Sequence, residues 1–131
     1  MGSLIDGVWQ TRLPKKDDGQ FKRSESRFRD RVTADGSSGF KAEAGRYHLY
    51  AAYSCPWAHR ALIYLTVKGL SSAITVSHAI PGPRPDGWRF AEDARFPDCV
   101  PDQINDFDLL QKAYVATDPN FTGTVTVPVL W

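Results

Sequence analysis

The sequence predicts an α/β fold built around a strand, a tight turn and an amphipathic helix at residues 46–69. Residues 47–52 are largely apolar and alternate in the way expected of a strand that is covered on both faces. Pro56 stands at the first helical position, where a missing N–H costs no intrahelical hydrogen bond. Small and apolar residues then recur at helical spacing as far as Leu65, and Gly69 ends the helix.

This unit places Cys55 at the N-terminus of the predicted helix, at the carboxyl end of the strand. The unpaired N–H groups and the positive end of the helix dipole stabilise an anion at that position, and the thiolate is the nucleophilic form of cysteine. The fourth position of the C-x-x-C pattern is Ala58, so the turn cannot form a local disulfide. A mixed disulfide at Cys55 must therefore be resolved by a thiol from another molecule, which indicates monothiol chemistry.

The rest of the chain supplies the other elements of the sheet. Residues 73–79 predict a second strand, parallel to the first through a right-handed crossover. The prolines of 80–103 indicate a long loop, and apolar spacing predicts a helix over 104–117. Residues 124–131 read as a third strand that Pro128 interrupts.

A proline inside an apparent strand argues against that strand unless it lies at an edge or at the strand's start. A cis Val127–Pro128 bond at the entrance of the strand resolves the conflict. Strand–helix–strand–helix–strand, with Cys55 at the first helix and cis-Pro128 before the third strand, predicts a thioredoxin-like arrangement. A fourth strand and a third helix are missing when the sequence stops at Trp131.

Length and charge narrow the class of protein. A chain of 131 residues is one domain by length, which we divide into an N-terminal extended arm (1–45) and a thioredoxin-like domain (46–131). The net charge of +1 does not favour a nucleic-acid or membrane-surface partner. Two cysteines without a disulfide framework, no leader sequence and no apolar run near ~18 residues favour the cytoplasm.

Five segments carry a resemblance to a known family. The Cys55 turn SCPWAHR and the ending TVTVPVLW resemble the Xi-class glutathione transferases, the glutathionyl-hydroquinone reductases. The start LIDGVW, the segment FKRSESRFRD and the turn DGWRF are similar to the same family. The resemblance covers nearly the whole chain apart from a variable loop around 81–101.

The resemblance implies which residues contact glutathione. Trp88 would stack on the tripeptide or donate a hydrogen bond to it, and Val127 would pair with it through the backbone. Thr124 stands where the family pattern has arginine, so an ionic contact with a glutathione carboxylate is not expected here. The glutathione-binding strand implied by the family comprises Thr124, Val125, Thr126 and Val127, with Pro128 as the structural cis-proline and no metal at the site.

The resemblance also implies the reaction. Cys55 would take glutathione from a glutathionyl-hydroquinone, and a second glutathione would release it as glutathione disulfide. The alternatives are an omega-like thiol transferase or dehydroascorbate reductase, and a non-catalytic glutathione-binding module. Members of the family carry a helical second domain and are homodimers, so we expect this chain to be the N-terminal part of a longer enzyme and to have little activity alone.

Other side chains have a less specific interpretation. Cys99 lies in a proline-flanked loop without a helix terminus, so we expect an incidental surface thiol, with a resolving role as the alternative. His59 reads as structural, with a Cys/His base as the alternative, and His78 reads as a structural residue at a strand end. Cys55 itself is expected in an open cleft near Val127.

Overall fold

A computed structural model describes residues 2–11, 26–82 and 85–131. These residues form two three-stranded sheets and two helices. In chain order the elements are β1 (Ser3–Ile5), β2 (Val8–Gln10), β3 (Tyr47–Ala51), α1 (Pro56–Val67), β4 (Ile74–His78), α2 (Leu110–Thr117), β5 (Gly123–Thr124) and β6 (Val129–Leu130).

The central sheet has the strand order β4-β3-β6. Strand β3 runs parallel to β4, with Leu49 opposite Val76, and antiparallel to β6, with Leu49 opposite Leu130. All five residues of β3 are buried, which confirms the prediction of a strand covered on both faces. Helix α1 follows β3 and ends at Val67, so both the parallel crossover and the first helix form where the sequence predicts them.

The second sheet, β2-β1-β5, includes a hairpin at the N-terminal end of the expected arm. Asp6 and Gly7 have positive φ angles of 48° and 75° and turn the chain between β1 and β2. Leu4 pairs with Gly123 and is 1% exposed. The start of the arm therefore packs into the core, while part of its basic segment at 21–31 lies outside the described residues.

The second helix begins six residues later than the sequence predicts, at Leu110 instead of 104. The Asp102 carboxylate accepts hydrogen bonds from the backbone N–H groups of Ile104 (3.1 Å), Asn105 (3.3 Å) and Phe107 (3.3 Å). Side-chain bonds of this kind offer the backbone an alternative to helical pairing. The prediction for 104–109 was wrong for this reason, and Ile104 is 51% exposed instead of lying on a buried helical face.

The third strand is also shorter than predicted. Residues 124–131 divide between β5, which pairs with the hairpin, and β6, which pairs with β3. Residues 125–128 lie between the two sheets without ladder pairing, and the Val127–Pro128 peptide bond among them is cis. Of the segment that the family resemblance assigns to glutathione, Thr124 ends β5, and Val125, Thr126 and Val127 belong to the connection.

In the described part of the chain, no helix has the length and apolar composition needed to span a membrane.

Candidate active site

Cys55 is the N-cap residue of α1. Its backbone N–H donates to Ala52 O at 3.1 Å, which closes the turn after β3, and its carbonyl accepts the first helical hydrogen bond from His59 N–H at 2.9 Å. The side chain makes no capping bond to the helix. The sulfur instead points across the turn, with Sγ 3.5 Å from the carbonyl oxygen of Val127. Two segments 72 residues apart in sequence meet at this thiol.

The expectation of an open cleft at Cys55 was wrong. Cys55 is 8% exposed and belongs to the main hydrophobic cluster. The reason is packing: Ala58 and Leu65 of α1 are buried in the same cluster, and the turn before Pro128 covers the sulfur through Val127, itself 2% exposed. The thiol donates to a carbonyl and faces little solvent in this structure.

The residues expected to bind glutathione differ in exposure. Val125 and Val127 are buried, at 1% and 2%, whereas Thr124 and Thr126 are exposed. The Thr126 hydroxyl donates to Val127 O at 3.2 Å, so the carbonyl beside the thiol has a second donor. Trp88 is 4% exposed and lies in the core, so its indole is not open to a ligand in this conformation.

Burial of Trp88 follows from how its loop is held. The carbonyl of Trp88 accepts a hydrogen bond from Leu110 N–H at 2.9 Å, so the loop is fastened to the start of α2. The indole N–H of Trp9 in β2 donates to Pro85 O at 3.2 Å, and Gln111 Nε2 donates to Asp86 O at 2.9 Å. Hydrogen bonds from the β1–β2 hairpin and from α2 thus hold the loop at residues 85–88 against the core.

One contact beside the site was not predicted from the sequence and involves Tyr114 of α2. Its hydroxyl donates to Thr126 O at 2.9 Å and lies 3.4 Å from Thr126 N–H, which donates to it. Burial raises the pKa of Tyr114, so the hydroxyl stays protonated and keeps its donor role. The only sequence signal was helical spacing, which places Tyr114 on the buried face of α2 without indicating its partner.

The second thiol is placed very differently from expectation. Cys99 is 1% exposed, so the prediction of a surface thiol was wrong; its loop folds back so that Sγ lies 3.7 Å from Ala79 O. Burial raises the pKa of Cys99, and the negative charges of Asp93 and Asp98 raise it further. Both effects disfavour the thiolate and therefore a resolving role.

Tyr53 and His78 form a second polar group near the end of β4. Their rings stack with centroids 4.3 Å apart, and the Tyr53 hydroxyl donates to Asp98 Oδ2 at 2.9 Å. Partial burial of the hydroxyl and this hydrogen bond raise the pKa of Tyr53 to about 12. Burial lowers the pKa of His78, and the negative charge of Asp98 offsets this only in part. His59, by contrast, is exposed on α1.

A buried hydrogen-bond network lies under the central sheet. His48 Nδ1 is 2.7 Å from Thr75 Oγ1, and its Nε2 is 2.9 Å from Ser77 Oγ. Ser77 Oγ lies 3.4 Å from Asp102 Oδ1, and the Tyr50 hydroxyl donates to Asp102 Oδ2 at 2.7 Å. Burial lowers the pKa of His48, opposed by the charge of Asp102. Burial alone would raise the pKa of Asp102, but hydrogen bonds from Tyr50 and the backbone hold it below its usual value.

No group of three or more metal-ligating side chains occurs within residues 2–11, 26–82 and 85–131.

The family model described as "Glutathione S-transferase, N-terminal domain" matches residues 54–131, which include the Cys55 turn and the cis-proline segment. The chain belongs to this family. Within the family its similarity is to the Xi class, and the predicted thioredoxin-like fold of a glutathione transferase N-terminal domain is confirmed.

The relatives are consistent in sequence and in structure. An Xi-class glutathione transferase from Natrialba magadii matches with a TM-score of 0.85 and 44% identity, over 100% of this chain and 38% of that one. The glutathione-bound structure of YqjG from Escherichia coli K-12 matches with a TM-score of 0.81 and 41% identity, over 99% of this chain and 38% of that one. The glutathionyl-hydroquinone reductase PcpF from Sphingobium chlorophenolicum is 47% identical over 133 residues, which are 100% of this chain and 40% of PcpF. The chain thus spans about 40% of the length of the curated relatives it matches.

Proposed function

We propose that this chain carries the catalytic thiol of a glutathionyl-hydroquinone reductase. The observation that carries the proposal is Cys55 at the first turn of α1, with Sγ 3.5 Å from the Val127 carbonyl. Similarity to PcpF supports the reaction class, and similarity to a glutathione-bound relative supports glutathione as the co-substrate.

The proposed chemistry has two steps. The Cys55 thiolate attacks the sulfur of the glutathionyl-hydroquinone, a Cys55–glutathione disulfide forms, and the carbon–sulfur bond breaks. The aryl carbon takes a proton and leaves as the hydroquinone, so sulfur is oxidised and the ring carbon reduced. A second glutathione thiolate then attacks the glutathione sulfur of the mixed disulfide, releasing glutathione disulfide and the Cys55 thiolate.

The glutathione site that we propose is built on Val127. Its N–H has no hydrogen-bond partner among the residues that the structure describes, and its carbonyl already lies beside the thiol. An extended tripeptide pairs with such a backbone as a short added strand. Thr124, Val125 and Thr126 would line the same segment, Pro128 would fix its direction, and Trp88 would contribute after its loop moves from the core.

For the whole protein we propose a homodimer in the cytoplasm that acts on glutathione and its hydroquinone conjugates. The near-neutral charge of the chain supports a small-molecule substrate over nucleic acid or a membrane surface. Thiol chemistry of this kind needs no metal, because sulfur itself is the group that changes oxidation state.

A second candidate is a glutathione-binding module without turnover. The burial of Cys55 favours it, because the thiol faces little solvent and is not open to a substrate in this conformation. An omega-like activity on mixed disulfides or dehydroascorbate would use the same thiol. The two activities differ in the substrate that reacts faster with Cys55.

The reductase proposal is tested by the first half-reaction. The chain is mixed with a glutathionyl-hydroquinone without free glutathione, and the hydroquinone released is quantified beside the protein adduct. Stoichiometric hydroquinone with a Cys55 adduct supports the proposal, and Cys55→Ser removes both products.

Two results contradict the reductase. Faster reaction with dehydroascorbate favours the omega-like alternative, and saturable glutathione binding without hydroquinone release favours the binding module. Cys99→Ser is the matched control, because it removes a thiol without touching the Cys55–Val127 contact.

A further inference from the structure

The hydroxyl of Tyr114 holds both polar backbone groups of one residue. It donates to Thr126 O at 2.9 Å and accepts from Thr126 N–H at 3.4 Å. Tyr114 is 9% exposed, and its ring packs edge-on against Phe121, with centroids 5.0 Å apart. The ring of Phe28 packs against both, with its centroid 5.6 Å from that of Tyr114 and 5.2 Å from that of Phe121. The hydroxyl is thus presented by a tightly packed side chain of α2.

Thr126 in turn controls the position of the next carbonyl. Its hydroxyl donates to Val127 O at 3.2 Å, and Val127 O is the oxygen that lies 3.5 Å from Cys55 Sγ. The connection between the two sheets has no ladder hydrogen bonds over residues 125–128. The Tyr114 hydroxyl therefore replaces ladder pairing as the contact that fixes this segment.

This contact also decides which backbone groups are available to a ligand. Tyr114 occupies the N–H of Thr126 and one of the two acceptor positions of its carbonyl, so an added strand cannot accept from that N–H without displacing the hydroxyl. The N–H of Val127 has no partner among the described residues. A bound tripeptide would accordingly pair at Val127, in a single register directly beside the thiol.

We propose that Tyr114 is a positioning residue: its hydroxyl fixes Thr126 and so sets the Val127 backbone beside Cys55 for glutathione. The inference rests on the proposed function, because it takes Cys55 as the thiol that accepts a glutathionyl group. Tyr114 acts through Thr126 and touches no reacting atom. Its loss should weaken binding of glutathione while the thiol chemistry itself continues.

The test is Tyr114→Phe in the 131-residue chain, with the rate of Cys55 glutathionylation measured against glutathione disulfide concentration. The 2.9 Å hydrogen bond to Thr126 O is worth about 0.5–1.5 kcal/mol, and the 3.4 Å contact lies beyond the usual range and adds little, so the half-saturating concentration should rise about two- to tenfold. The maximal rate should change by less than about twofold, because binding lost equally from ground and transition states leaves that rate intact.

Two variants separate positioning from general loosening. Tyr64→Phe makes the same chemical change on the exposed face of α1, where the residue is 59% exposed, and should change neither parameter. Phe28→Leu loosens the aromatic cluster but keeps the Tyr114 hydroxyl, so it should lower the thermal unfolding midpoint without raising the half-saturating concentration.

Amide hydrogen exchange of Thr126 and Val127 provides a readout that does not depend on reaction. Exchange there should be faster in Tyr114→Phe than in Tyr64→Phe. An unchanged half-saturating concentration in Tyr114→Phe, or an equal rise in Phe28→Leu, overturns the inference. A wild-type chain with no saturable reaction overturns the proposed function instead, and unchanged exchange in Tyr114→Phe then also rules out the positioning role.

Discussion

Cys55 Sγ lies 3.5 Å from the carbonyl oxygen of Val127, across a gap of 72 residues in sequence. The strand–turn–helix unit supplies the thiol, and the cis-proline connection supplies the backbone beside it. The contact buries the sulfur, so reaction with glutathione requires the Val127 carbonyl to give up its hydrogen bond or a small movement of the connection. Access to the thiol, as well as its chemistry, is therefore expected to limit the rate.

The two thiols should differ in reactivity toward a slow alkylating agent at mildly acidic pH. Cys99 is 1% exposed, and burial together with the charges of Asp93 and Asp98 raises its pKa, so its thiolate is rare and poorly accessible. Cys55 lies at a helix N-terminus and should label at least about tenfold faster. Peptide mapping of the native chain measures this ratio. Equal labelling of both thiols would contradict the assignment, and labelling in denaturant is the control for intrinsic reactivity.

Stability should fall in mild acid because two histidines are held neutral. The pKa of His48 and that of His78 are both lowered by burial. As pH drops below about 6.5, the unfolded chain binds protons before the folded one, which costs about 1.4 kcal/mol per pH unit for each proton. Stability is therefore full near pH 7 and decreases toward pH 5, as measured by urea unfolding at each pH.

His48→Gln removes one of these two protons, so the free energy of unfolding should fall less steeply between pH 7 and pH 5. His59→Gln, on the exposed surface of α1, should leave the slope unchanged. If His48→Gln does not fold, the imidazole titration of the wild-type protein by NMR decides the point. A His48 ring that protonates at its ordinary pKa would refute the explanation.

Trp9 should restrain the loop at residues 85–88. Trp9→Phe keeps an aromatic ring but removes the N–H that donates to Pro85 O. The hydrogen bond contributes about 1 kcal/mol or less to the free energy that holds the loop in place. Hydrogen exchange in a peptide covering this loop should accelerate several-fold. Val8→Ala lies in the same hairpin strand, at a side chain that is 60% exposed, and should leave the loop unchanged. Identical exchange in Trp9→Phe and wild type would exclude this restraint.

The exposed apolar face of α1 should cause self-association of the 131-residue chain. Trp57, Ile63, Tyr64 and Val67 are 50–74% exposed along one helix, and several large apolar side chains exposed together favour association. Ile63→Glu combined with Val67→Lys introduces an i,i+4 ion pair and should shift sedimentation toward the monomer. A wild-type chain that sediments as a monomer at all concentrations would contradict the prediction.

The parts of the fold that the sequence predicted correctly depend on local patterns. The β3–α1 unit is defined by the alternation of side chains in the strand, by Pro56 and by the helical spacing of apolar residues, all in the segments directly before and after Cys55. The hairpin escaped prediction because Leu4 pairs with Gly123, at the other end of the chain. The start of α2 was misplaced because the Asp102 carboxylate holds the N–H groups of Ile104 and Phe107 in a turn, and Asp106 has a φ angle of 57°, which a right-handed helix does not contain.

The sequence predicted that Cys55 lies near Val127, but it did not predict how deeply the residues around them are buried. The strand–turn–helix spacing identified Cys55, the family resemblance identified Val127, and the structure places the two residues in contact. Burial of Cys55, Trp88 and Cys99 depends on how distant loops pack, which no local pattern encodes. The Tyr114–Thr126 contact is of the same kind, since it joins α2 to the connection between β5 and β6 through a side chain whose partner no local pattern indicates.

The central claim is that Cys55 takes a glutathionyl group, and intact mass after incubation with glutathione disulfide tests it most directly. The account predicts that the wild-type chain gains the mass of one glutathionyl group, mapped to Cys55, and loses it again on addition of glutathione. Cys99→Ser should behave like wild type, and Cys55→Ser should gain nothing. An adduct at Cys99, or an unmodified Cys55 under conditions where the chain is folded, would contradict the account.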